Sequence, residues 1–187
     1  MQSYLSPAQC AKLQEQLIRH TAATAIGSQL APVELWCTPD LNHPCLHDID
    51  QRITLKRQQG ASLGQKMHRA FSETLAHKTV KQALLIGTDC PLLTGAHLKS
   101  SLEALESSRI ILIGANDGGY VLIGGRMVPP CFEKIDWGTS EVLNQTKQSL
   151  QRHGINYAIR EFLDDLDTQK DLQNLPDALR KRLLAQH

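Results

Sequence analysis

The chain predicts an α/β fold built on a largely parallel sheet that is covered on both faces. Segments with strand character alternate with segments of helical periodicity along the length. Two runs, Ala83-Leu84-Leu85-Ile86 and Ile110-Ile111-Leu112-Ile113, are apolar throughout, as strands packed on both faces must be. No linker, internal repeat or low-complexity tract divides the 187 residues, so residues 1–187 are read as one domain.

The elements follow in order. Ser6-Pro7-Ala8-Gln9 starts a helix, with Ser6 as cap, Pro7 at the first helical position and Gln9 completing a capping box. Leu13, Leu17 and Ile18 form its apolar stripe, and Gly27 ends it. Val33–Cys37 alternates as a strand, and Ile53–Lys56 is a weaker one. Leu63, Met67, Ala70, Phe71 and Leu75 recur at helical spacing over about 63–76. After the run at 83–86, Thr94 caps a helix with Leu98, Leu102 and Leu105 on its inner face. A strand over 109–114 and another over 120–123 flank Asp117-Gly118-Gly119. Thr139-Ser140-Glu141 opens a helix carrying Val142, Leu143 and Leu150, and Tyr157-Ala158-Ile159 is the last strand. Thr168–Asp171 is a capping box for a short helix, and Pro176 separates that helix from a basic C-terminal one.

Composition narrows the function classes. Twenty basic and nineteen acidic residues leave a net charge of +1, which argues against a general nucleic-acid footprint. Aromatic residues make up 4%, too few for a stacking platform along a single strand. No apolar run is long enough to span a bilayer, and Met1–Pro7 has neither the basic nor the apolar part of a signal peptide. A cytoplasmic location is therefore expected. The five cysteines are scattered without a C-x-x-C pair and read as thiols. Cys37, His43, Cys45 and His47 fall close together, but Pro39 and Pro44 make the segment a loop, which reads as an ordinary polar loop rather than a zinc site.

Acidic residues at strand ends carry the chemistry. Gly87-Thr88-Asp89-Cys90-Pro91 stops a strand, presents a carboxylate and then forbids further strand. Carboxyl ends of parallel strands share one sheet edge, where ligands bind. Asp117, with Asp165 and Asp167 in Asp164-Asp165-Leu166-Asp167, supplies further acids. Such oxygens suit Mg²⁺ or Mn²⁺, although from spacing alone turn and helix-start roles are the commoner explanation. Gly118 and Gly119 admit either a ligand against the backbone or a hairpin turn. Trp137, just before a helix start, is either a rim aromatic or a half-buried packing group. P-loop, dinucleotide-fingerprint, nucleophile-elbow and zincin motifs are absent, and Cys90 beside Asp89 is a poor thiolate.

In their order these motifs resemble a glycosyltransferase-like family, also called radical-SAM/selenodomain-associated transferases, within the GT-A-type nucleotide-diphospho-sugar transferase superfamily. The matching pieces are Gln59-Gly60, Leu63-Gly64-Gln65-Lys66-Met67, Gly87–Pro91, Asp117–Tyr120 with Leu122-Ile123-Gly124, Phe132 with Ile135–Thr139, and Asp165–Thr168 with Asp171-Leu172. The resemblance spans roughly residues 30–175. It implies a three-layer α/β/α sandwich that binds a nucleotide or nucleotide-sugar through a divalent cation. It further implies Asp89 as a metal ligand with Asp165 or Asp167 as the second, and Asp117 as a hydroxyl ligand or base. Gly87, Thr88, Gly118, Gly119, Tyr120, Trp137 and Lys66 are expected around the substrate.

The chain departs from the family's pattern at its start. Members usually open with a central strand and a basic loop of the type Lys-x-Pro-x-x-Gly-x-x-Lys-Thr-Arg-Leu, and only the tail of that loop aligns here. Lys66 stands where Arg is common, and Gln169-Lys170 where Pro-Glu is usual. The leading expectation is a metal-dependent glycosyl or nucleotidyl transferase; the alternative is a nucleotide-binding or assembly protein of the same fold without turnover. An extra 20–30 residues or so ahead of Met1 would restore the family's strand and loop. Without that strand its neighbours either expose an edge or close up around the gap, and a homodimer is compatible with an exposed edge.

Overall fold

A computed structural model describes residues 5–185, so Met1–Tyr4 of the opening segment lie outside the described residues. The elements are α1 (Pro7–Gly27), β1 (Val33–Cys37), β2 (Ile53–Arg57), α2 (Leu63–Leu75), β3 (Ala83–Ile86), α3 (Gly95–Ala104), β4 (Ile110–Ala115), β5 (Tyr120–Gly125), α4 (Val142–Arg152), β6 (Tyr157–Leu163), α5 (Gln169–Asn174) and α6 (Asp177–Leu184). The starts are set as the residue types dictate. Ser6, Thr94 and Thr168 each cap a helix and exchange capping-box bonds with Gln9, His97 and Asp171. The start of α4 differs: Glu141 occupies the cap without a side-chain bond, and Thr139 instead bonds the Glu141 N–H.

Four strands lie in the order β3-β5-β4-β6. Both β3 and β4 pair antiparallel to β5, whereas β4 and β6 are parallel, so β3, β4 and β6 run in one direction. The Asp117-Gly118-Gly119 segment is thus a hairpin turn that sends β5 back between β3 and β4. Alternation along β4 supplies both cores. Ile111 and Ile113 face Leu98 and Leu105, in and just after α3. Ile110 and Leu112 face Met67 and Phe71 of α2 and Leu143 and Leu150 of α4. The predicted α/β sandwich is therefore borne out: helix, sheet and helix form three layers around a β4 whose Ile110–Ile113 are wholly buried.

Among the described residues a second sheet contains β1 and β2 alone, paired in parallel. Its presence separate from the first changes the reading of β3. The sequence predicts a fully buried strand at 83–86, yet all four residues are half-buried. The reason is its position at the end of the four-stranded sheet, paired to β5 alone among the described residues. Helices tie the sheets together. Thr74 of α2 donates to Glu34 of β1, while α2 also packs on β3. From α1, which packs on β1, Gln14 donates to Thr88 just past β3. Among the described residues no helix is long and apolar enough to cross a membrane.

Candidate metal and substrate site

The three co-directional strands deliver their carboxyl ends to one edge. Asp89 follows β3, Asp117 follows β4 and Asp165 follows β6. Backbone bonds fix these ends relative to one another. The Leu166 N–H donates to the Asp89 carbonyl at 2.8 Å, which locks the Asp165-Leu166-Asp167 segment against the end of β3. The Asn116 N–H donates to the Leu163 carbonyl, and Asn116 Nδ2 donates to Asp164 Oδ1 at 2.6 Å, joining the ends of β4 and β6. Buried Leu166 anchors the segment from beneath, in a cluster with Leu13 and Leu17 of α1 and Leu172 of α5.

Asp117, Asp165 and Asp167 each present a carboxylate oxygen, and these oxygens lie within 4.8 Å of one another. Asp89 lies outside this trio but within its electrostatic reach. Its pKa is raised, first by burial on the protein side and further by the charges of Asp167 and Asp117, although part of the side chain meets solvent. Asp165 is pushed up to about 6, again by burial first and then by Asp117, Asp167 and Asp89. A carboxyl whose folded pKa lies above its unfolded value stabilises the fold below the unfolded value, near 4. That contribution disappears as pH rises through about 6. At neutral pH the acids therefore repel one another. Hard oxygen donors held together at this cost fit a hard divalent cation such as Mg²⁺ or Mn²⁺.

Glycines make the arrangement sterically feasible. A side chain on Gly87 would run into the Asp89 carboxylate, which folds back over it. Gly118 has φ +99° and lies against the Ser140 backbone, so the turn needs glycine on both counts. Asp117 Oδ1 accepts the Gly119 N–H at 2.8 Å, orienting that carboxylate within the turn. Thr88 sits between Gly87 and Asp89 and accepts from Gln14.

The other predicted substrate residues are placed differently. Tyr120 turns its hydroxyl into the core beside Thr146, and its ring meets Trp137 edge-on at 6.3 Å. Trp137 is half-buried, as the packing reading expects, and it lines a cavity with Gln59, Gly60 and Gln65. Lys66 is half-buried in α2, the helix whose N-terminal turn borders that cavity. Asn116 and Asp164, which pin two strand ends, were not singled out by the sequence; only their adjacency to Asp117 and Asp165 marks them. Cys90 is buried, and its thiol is pushed up to about 11, mainly by that burial, so it is no nucleophile. In the Cys37–His47 loop, His43 Nδ1 meets Cys45 Sγ at 3.0 Å; no metal-ligating group of three forms there among the described residues.

The model of a family described as "Uncharacterized protein conserved in bacteria (DUF2064)" matches residues 21–139, well over half of the chain. The chain belongs to DUF2064. Among solved structures, this DUF2064 chain is similar to a protein from Desulfovibrio desulfuricans G20 with the provisional description of nucleotide-diphospho-sugar transferase. The two share 22% identity and a TM-score of 0.78, over 88% of this chain and 73% of that one. A second likeness is to CMP:2-keto-3-deoxy-manno-octonic acid synthetase, solved in complex with CTP. It has 11% identity and a TM-score of 0.58, over 84% of each chain. At these identities the likeness concerns the fold alone. A search of curated proteins finds no match to the DUF2064 chain.

Proposed function

We propose that this protein is a divalent-metal-dependent transferase that takes its group from a nucleoside triphosphate or nucleotide-sugar. The observation that carries the reading is the convergence of Asp89, Asp117, Asp165 and Asp167 on one sheet edge in this fold. Asp165 and Asp167, with Asp89 beside them, are the residues that would hold Mg²⁺ or Mn²⁺. When bound, such an ion neutralises phosphate oxygens and stabilises charge on a departing phosphate. The Gly118-Gly119 turn holds Asp117 beside the other acids, where the transferred group would lie. Asp117, oriented by Gly119, binds an acceptor hydroxyl and takes its proton as that oxygen attacks. In nucleotidyl transfer the oxygen bonds to the α-phosphorus, the bridge to the β-phosphate breaks and pyrophosphate leaves. In glycosyl transfer it bonds to the anomeric carbon and a nucleoside diphosphate leaves.

Thermal shift with CTP, UTP, ATP, GTP and UDP-glucose, each with Mg²⁺ or Mn²⁺, tests the reading. At least one pair should stabilise the protein near pH 7.5 and do so far less near pH 5, where Asp165 takes up a proton and holds the ion poorly. No stabilisation by any pair would refute the proposal. Stabilisation without release of pyrophosphate or nucleoside diphosphate in the presence of acceptors would favour the non-catalytic nucleotide-binding protein of the same fold.

A further inference from the structure

Beside the acidic group lies a cavity of about 550 Å³ that is built from different chemistry. Its floor is apolar: Phe132 and Ile135 are buried, Gly64 closes against the Phe132 carbonyl, and Trp137 is braced edge-on by Tyr120. Its rim carries His68, Arg69 and Lys134 against the single acid Glu133. Arg69 uses its Nε on Glu73, leaving the rest of its guanidinium for other partners. The first turn of α2 also opens here. Ser62 caps Gln65, while the amides of Leu63 and Gly64 precede any intrahelical acceptor, so the positive end of the helix faces the cavity.

The two regions share a wall. The loop from Trp137 to Ser140 runs from the cavity to the Asp117 turn, where Ser140 lies against Gly118 and the Leu143 N–H donates to the Gly118 carbonyl at 2.9 Å. One wall therefore separates an acidic group, which admits a polyphosphate only with a cation, from a cavity of mixed charge whose Lys134 and open α2 start can meet an anion directly. A molecule that bound both regions alike would gain nothing from this division. The division suits two ligands of different charge requirements.

We infer that this cavity binds the second substrate, a small molecule carrying a phosphate or carboxylate on an apolar body. The anion meets Lys134, Arg69 and the start of α2, and the body rests on Trp137, Phe132 and Ile135. Its role as second substrate rests on the transferase reading; its binding does not.

The chain has two tryptophans, so Trp36→Phe leaves Trp137 as the sole indole reporter. In metal-free buffer the fluorescence of this variant is titrated with butyl phosphate, pentanoate and pentanol. A saturable change is expected with one or both anions and none with pentanol; which anion responds identifies the head group. Half-saturation should rise by about tenfold or more in Lys134→Glu and in Arg69→Gln, each added to Trp36→Phe. No saturable change with either anion overturns the inference, as does an equal response to pentanol or an unaltered response in both charge variants. Stabilisation by nucleotide and metal, measured on the same proteins, reports separately on the acidic group.

Discussion

Asp165→Asn should raise the melting temperature of the metal-free protein at neutral pH while removing most of its response to Mg²⁺ or Mn²⁺. The side chain keeps its size and loses the charge that burial and three neighbouring acids oppose. In wild type that carboxyl has a pKa of about 6, so it is ionised at pH 7 against its surroundings. The variant should therefore be more stable by a few degrees at pH 7, and the difference should close only below about pH 4, where the wild-type carboxyl is neutral in the folded and the unfolded chain alike. Turnover, where detected, should fall by roughly 10² to 10³-fold, the usual order for losing one group that stabilises developing charge. Calorimetric scans with and without metal, across this pH range, decide the matter. Asp165→Asn that is less stable than wild type at neutral pH would mean that the carboxylate serves the fold and not a ligand.

Gly118→Ala should damage the site and the fold together. The residue has φ +99°, outside the range that a side chain accepts without strain, and its new methyl would overlap the Ser140 backbone. Strain of about 1–3 kcal/mol and overpacking of a similar size together predict a loss of roughly 2–5 kcal/mol. Relief requires the Asp117 turn or the Thr139–Glu141 segment to move, and either shift takes Asp117 away from Asp165 and Asp167. Urea unfolding measures the first effect, and loss of metal-dependent stabilisation measures the second. A variant with wild-type stability and metal response would show that this turn has no fixed geometry.

Much of this could be read from residue patterns, because local chemistry sets it. Ser6, Thr94 and Thr168 announce their helices through capping chemistry, and Ile110–Ile113 announces a strand covered on both sides. The bounds of β6 were less legible: Arg160 and Glu161 are polar, and its extension to Leu163 depends on parallel pairing with β4. Pairing also settled Asp117-Gly118-Gly119. The residues allow a hairpin or a ligand loop, and the structure has a hairpin whose Asp117 stands among the other acids. Long-range contacts are what the sequence lacks. Asp89 and Leu166 are linked by a backbone bond that no spacing rule foretells, and the Asn116–Asp164 contact spans 48 positions. The cavity at Trp137 is similarly assembled from segments some seventy residues apart, each ordinary when read alone.

The division into two sheets gives the acidic group and the cavity different mechanical footings. The acidic group hangs from a four-stranded sheet with the most deeply buried strand of the protein at its heart. The cavity is reached through β2 and α2, and β2 is held by five residue pairs to β1 and by no other strand among the described residues. An isolated pair of strands is marginal in water, so this ribbon owes its order to α1 and α2. It should therefore behave as a separate cooperative unit that opens locally at lower cost than the rest. Hydrogen exchange should show the amides of Leu35 and Leu55 exchanging well before those of Leu112 and Leu122; equal protection would make the two sheets one unit. One ligand would then meet a surface already set, and the other a surface that settles as it binds.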